Sequence, residues 1–128
     1  MIIDSSALIA IMFREPEHKL LLDKMFSASN LRIGAATLVE ATIVMSYRLN
    51  SDARNMIRDF IDECEIQVIS FGMEHYSCAS EAYLRFGKEK HKAALNFGDC
   101  LSYALAVVNN EPLLFIGNDF SKTDVITA

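Results

Sequence analysis

The chain has 128 residues, of which 52% are hydrophobic and 23% charged, and it carries a net charge of −5. That length supports one compact domain over residues 1–128 and not two, and the composition can fill a core, which excludes a disordered tail. No apolar run approaches the roughly 20 residues that cross a bilayer. The start Met1-Ile2-Ile3-Asp4 also lacks the basic and apolar regions of a signal peptide, so a cytoplasmic protein with no membrane partner is expected.

Residues 1–3 lean towards β structure. A helix over 7–13 follows, with Ser5 or Ser6 placed to cap it. Pro16 suits the first turn of a second helix over 16–27, with Leu20, Leu21 and Met25 on one side. Residues 31–34 read as a second short strand. Helices over 37–49 and 51–63 come next, the latter opened by Ser51 or Asp52. Residues 66–70 read as a third strand, and 73–86 as a helix ended by Gly87. A further helix covers 96–109, a fourth strand covers 112–116, and residues 125–127 suit a short last strand. Strands separated by helices specify a parallel sheet covered on both faces, a three-layer α/β/α domain. Cys64, Cys78 and Cys100 are odd in number and have no CxxC spacing, so they read as free core thiols.

In such a sheet, ligands bind beyond the carboxyl ends of the strands, and four acids fall there. Asp4 ends the first strand. Glu40 lies in the helix after the second strand, Asp119 follows the fourth strand, and Asp99 lies in the first turn of the helix that feeds that strand. Each has a bland explanation. Asp4 can cap a helix, Thr37-x-x-Glu40 matches a capping box, Asp99 complements a helix dipole, and Asn118-Asp119 is ordinary turn chemistry. Those explanations do not account for a shared edge. Two carboxylates 4 Å apart repel by about 4 kcal/mol at an effective dielectric of 20, so a cation is expected among them, and hard oxygen ligands suit Mg2+ or Mn2+. His18, His75 and His91 lie outside this rim as exposed helix or loop residues.

The negative net charge argues against a nucleic-acid partner, except that metal would cancel the clustered acids. Positive charge gathers in one stretch, where Arg85, Lys88, Lys90 and Lys92 face a single anion, Glu89. Two readings stand for it, a solvated connection or a rim that contacts phosphates.

The start Met1-Ile2-Ile3-Asp4-Ser5-Ser6-Ala7-Leu8, the helical Glu40, the run Leu95-Asn96-Phe97-Gly98-Asp99-Cys100 and the ending Gly117-Asn118-Asp119-Phe120-Ser121-Lys122-Thr123-Asp124 together resemble the PIN-domain ribonucleases, and among them the VapC toxins of type II toxin–antitoxin pairs. The resemblance implies a Mg2+- or Mn2+-dependent endoribonuclease whose acidic quartet is Asp4, Glu40, Asp99 and Asp119, with Asp4 and Asp99 as metal ligands. It further implies that Ser6 and Asn96 support the metal site, that the chain forms a homodimer, and that a VapB-like antitoxin restrains it. Glu89-Lys90 departs from the family pattern, which more often has glycine and a basic residue there. Two alternatives remain: an acid-cluster phosphatase, which would want a second acid where Ser6 stands, and a catalytically silent PIN-like binding protein.

Overall fold

A computed structural model describes residues 1–128. Four short strands, β1 (Ile2–Ile3), β2 (Arg32–Gly34), β3 (Gln67–Ile69) and β4 (Leu113–Leu114), form one parallel sheet in the order β3-β2-β1-β4. Six helices accompany them: α1 (Ser5–Met12), α2 (His18–Ser27), α3 (Ala35–Leu49), α4 (Arg54–Glu63), α5 (Met73–Phe86) and α6 (Phe97–Asn109).

Successive strand side chains point to opposite faces, and β1 and β4 use both faces for burial. Ile2 and Leu113 join a cluster with Ala79, Ala82, Phe86 and Tyr103 of α5 and α6. Their neighbours Ile3 and Leu114 turn the other way, into a cluster with Leu8, Leu21, Met45 and Ile57 of α1 to α4. Two apolar residues in a row thus serve two cores, which is why β1 and β4 read as unbroken apolar runs and not as an alternation. The expected α/β/α layering follows directly.

Several element limits differ from expectation, each for a local reason. Asp4, not Ser5 or Ser6, caps α1, and α2 begins at His18, two residues after Pro16. Helix α3 starts at Ala35 with Gly34 as its cap, so Thr37 is already inside the helix and no Thr37–Glu40 capping box forms. Thr37 is instead buried, its hydroxyl 3.4 Å from that of Ser102 on α6. Helix α4 starts at Arg54, whose N–H donates to the Asp52 carboxylate (3.0 Å). The last strand expected over 125–127 shrinks to one bridge, Leu113 to Thr127. Asn50 and Asn110 end α3 and α6 in the left-handed conformation that asparagine tolerates (φ 50° and 51°).

At the amino edge of the sheet Glu111 receives two cations. The Arg32 guanidinium lies 2.5 Å away, and the N-terminal ammonium is its second partner. Strands β1 and β2 are thereby tied to the approach of β4.

Candidate active site

The carboxyl edge begins with Asp4, the first residue beyond β1. The Asp4 N–H donates to Leu114 O of β4 (2.9 Å), so the residue that ends β1 is tied to the neighbouring strand β4. Its side chain is buried, and its two oxygens do different things. Oδ2 accepts from the Ser6 N–H (3.0 Å) and the Ser6 hydroxyl (2.5 Å), closing the first turn of α1. Oδ1 is buried with no partner at all. Ser6 Oγ in turn accepts the Ile116 N–H (3.1 Å), joining α1 to the chain beyond β4.

Asp99 sits at the third position of α6 in a reciprocal cap. Its N–H donates to Asn96 Oδ1 (2.9 Å), and the Asn96 N–H donates back to its carboxylate (2.8 Å). Burial pushes the Asp99 carboxyl up to about 6. The Asn96 N–H opposes that rise, and the charges of Asp4, Asp119 and Glu40 add to it. All four acids of the sequence analysis are therefore within electrostatic reach of one carboxyl.

Glu40 reaches the rim from α3 through a close approach. A Cβ on Gly98 would displace the Glu40 carboxylate from its present position, so glycine there leaves room for this side chain against the start of α6. Asp119 is exposed and precedes a 3-10 turn at Phe120–Lys122 without bonding to it through its side chain. The turn follows Gly117, whose φ of +105° suits glycine and strains other residues.

None of the four carboxylates forms an ion pair; the eight pairs in the chain all lie elsewhere. Nor do three acid, histidine or cysteine side chains already converge into a formed coordination sphere. What exists is an open rim of hard oxygen donors, one buried and unsatisfied, and no protein cation among them. Such a donor set fits a small divalent ion with water completing its shell better than an all-protein cage.

The basic stretch lies at the same end of α6. The Lys88 N–H donates to Leu95 O (3.0 Å) and the Leu95 N–H to Phe86 O (3.0 Å), which closes the loop at the residue before Asn96. Lys88, Lys90 and Lys92 are exposed, and Lys90 lies over the Tyr83 ring (5.5 Å). Arg85 is engaged differently: its guanidinium binds Asp124 (2.7 Å) and covers the Phe86 ring (4.5 Å).

Other side chains depart from expectation in burial. Cys100 is buried, whereas Cys64 and Cys78 are only half-buried; burial raises the pKa of all three thiols, that of Cys100 to about 11. His75 is buried, not exposed: its Nδ1 accepts the Gly72 N–H (3.0 Å), and its Nε2 has no partner. An apolar groove of about 690 Å3 is flanked by Phe71, Tyr76, Tyr83, Leu84, Phe97 and Leu101. It adjoins the start of α6, but none of the four acids lines it. Sequence reasoning passed over Gly98 as the seat of Glu40, although Gly-Asp at a helix start signals a close approach. It also passed over the Tyr103–Asp124–Arg85 cluster, which joins residues too far apart in the chain to show.

The PIN domain family model matches residues 1–126, and the chain belongs to that family. Within it, the chain is 39% identical over 126 residues to Ribonuclease VapC36 of Mycobacterium tuberculosis, covering 98% of this chain and 91% of that protein. It is 40% identical to Ribonuclease VapC28 of the same organism, with 98% and 95% covered. Among solved structures, VapC20 of Mycobacterium tuberculosis, described as a sarcin-ricin loop cleaving toxin, shares its fold at a TM-score of 0.75 and 15% identity, covering 99% of this chain and 97% of that one. A toxin–antitoxin complex from Klebsiella pneumoniae matches at 0.73 and 15% identity, with 99% and 95% covered. No helix is long and apolar enough to cross a membrane.

Proposed function

We propose that this chain is a metal-dependent endoribonuclease, the toxin of a type II toxin–antitoxin pair, working through Asp4, Glu40, Asp99 and Asp119. The observation that carries the site is the rim itself, with Asp4 Oδ1 buried and unpartnered beside an Asp99 whose carboxyl is pushed up to about 6. Clustered, perturbed carboxylates without a protein counter-ion are the donor set of a functional cation site. The ribonuclease assignment is supported by relatives of that name along nearly the full chain.

Asp4 and Asp99 would hold Mg2+ or Mn2+. Bound there, the ion supplies Lewis-acid polarisation of a phosphodiester and lowers the pKa of a coordinated water. The chain's own residues do the placing. Ser6 fixes the Asp4 carboxylate by two hydrogen bonds and leaves Oδ1 free, while Asn96 fixes Asp99 through its cap. Glu40, seated on Gly98, and the exposed Asp119 orient water on the open side. Lys88, Lys90 and Lys92 contact RNA phosphates, with Arg85 contributing less because Asp124 holds its guanidinium. A VapB-like antitoxin and a second copy of the chain are the protein partners. The exposed apolar stripe Val39, Ile43 and Tyr47 on α3 offers them a surface.

A ribonuclease assay titrated with Mn2+ tests the reading. Asp99→Asn should lose cleavage by on the order of 10²–10³, the scale of removing one preorganised electrostatic partner, with an unchanged circular dichroism spectrum. Wild-type cleavage by that variant would overturn the site. Absence of cleavage by the wild type at every metal concentration would favour a silent binding protein.

A further inference from the structure

Asp119 sits in the part of the rim with the fewest local bonds, yet its segment is not loose. It leaves β4 through Gly117, around which a Cβ would meet nothing within 4 Å. It regains the sheet only at Val125–Ala128, where Leu113 donates to Ile126 O (2.8 Å) and receives the Ala128 N–H (3.0 Å). Between those ends, Phe120 packs on Phe115 (ring centroids 5.0 Å), Lys122 Nζ reaches Lys92 O (3.2 Å), and Asp124 makes the strongest attachment. One Asp124 oxygen accepts the Tyr103 hydroxyl (2.5 Å) and the other the Arg85 guanidinium (2.7 Å).

The two donors come from different helices. Tyr103 lies one helical turn beyond Asp99 on α6, on the same side of the helix. Arg85 is in the last turn of α5. The helix that presents Asp99 therefore also grips, through Tyr103, the segment that presents Asp119. The exposed Arg85–Asp124 pair contributes little alone. The Tyr103 side differs, because this residue is only 3% exposed and its hydroxyl would lose its partner inside the protein. Asp124 answers with a carboxyl held below the usual range, first by the Tyr103 hydroxyl and further by Arg85.

We infer that Tyr103 and Asp124 are positioning residues for RNA cleavage: their clasp holds the Gly117–Thr123 segment so that Asp119 faces Asp99. The inference rests on the reading of Asp119 as a site acid. It gives Arg85 a role inside the protein and gives a task to the Thr123-Asp124 end of the sequence motif.

Tyr103→Phe removes one oxygen and keeps the ring against Phe86, and Asp124→Asn keeps an acceptor for Tyr103 while removing the charge. In the intact chain each should speed amide hydrogen exchange at Lys122 and Thr123 by about 10-fold, with exchange in the α6 interior unchanged. Each should lower kcat for total bacterial RNA with Mn2+ by about 10-fold, the scale of losing a residue that orients a site group, with KM nearly constant. The decisive arm is the same change in an Asp119→Asn background, where kcat should fall by less than about twofold further. Unchanged exchange at Lys122 and Thr123 would overturn the clasp. Faster exchange with full additive loss in the Asp119→Asn background would overturn its action through Asp119. Wild-type cleavage by Asp119→Asn itself would remove that residue from the site and the inference with it, whereas loss in Asp119→Asn with intact cleavage in both clasp variants would sink the clasp alone.

Discussion

The two edges of the sheet handle charge in opposite ways. At the amino edge one acid, Glu111, meets two cations, Arg32 and the N-terminal ammonium. At the carboxyl edge four acids meet none, and the only groups that satisfy them are uncharged: the Ser6 N–H and hydroxyl, and the Asn96 N–H. Folding brings both sets together at some cost in desolvation, but only the first recovers it within the protein. The paired edge holds strands, and the unpaired one keeps its attraction for something that is not protein.

The contrast is sharpest if each edge is damaged separately. Asp4→Asn should cost RNA cleavage on the order of 10²–10³ and leave metal-free stability equal or higher, because one charge leaves a repelling group. Glu111→Gln should do the reverse. Its side chain is only 13% exposed, so leaving Arg32 unpaired costs about 1–3 kcal/mol, visible as a lower Tm, while cleavage below that temperature stays near wild type. Paired melts and cleavage rates for the two variants measure this. A fold loss in Asp4→Asn matching that of Glu111→Gln would erase the distinction between the edges.

A second measurement needs no RNA. An ion that binds only the folded chain stabilises it by about 2.7 kcal/mol at one hundred times its Kd, which should raise Tm on the order of 4–10 °C for a domain of this size. Mg2+ and Mn2+ should both do so, and monovalent salt at matched ionic strength much less. The Asp4→Asn/Asp99→Asn pair should lose the shift, and Glu111→Gln should keep it. A shift that survives in the double variant would place the ion away from the rim.

The layering and the shared edge were both legible in the sequence, because they depend on strands alternating with helices and on which segments begin at the carboxyl edge. Ile2-Ile3 and Leu113-Leu114 announce strands buried on two faces, and Asp4 is the next residue after such a run. What stayed hidden depends on contacts between distant segments. Thr37-x-x-Glu40 has the pattern of a capping box, yet Gly34 starts α3 earlier and sends Thr37 towards Ser102, which frees Glu40 for the rim. The exposed-histidine expectation failed at His75 because helix α5 begins two residues before it and folds the ring back onto Gly72. Arg85 looked free for RNA because its partner, Asp124, lies 39 residues away.

The finest test of the comparison is pH, since only the carboxyl edge contains a raised acid. Asp99 titrates at about 6 in the folded chain against an ordinary 3.8, with burial the first cause and the neighbouring acids adding to it. Below pH 4 it is protonated whether folded or not and contributes nothing. Between pH 4 and 6 the unfolded chain has released this proton and the folded chain still binds it, so stability falls as pH rises. Above about pH 6 the loss is complete and stays constant. Asp99→Asn lacks the effect, and groups that do not interact with Asp99 cancel on subtraction. In chelator, the Tm of Asp99→Asn minus that of wild type should therefore grow by a few degrees, about 2–5 °C, between pH 4 and 6.5, and then level off. Saturating Mn2+ should reverse the sign above pH 6, because the ion binds the ionised carboxylate that the variant lacks, and binding then displaces no proton. A difference that stays flat from pH 4 to 7 in chelator would mean that Asp99 is not strained by its surroundings, and the carboxyl edge would then be no more primed for a cation than the amino edge.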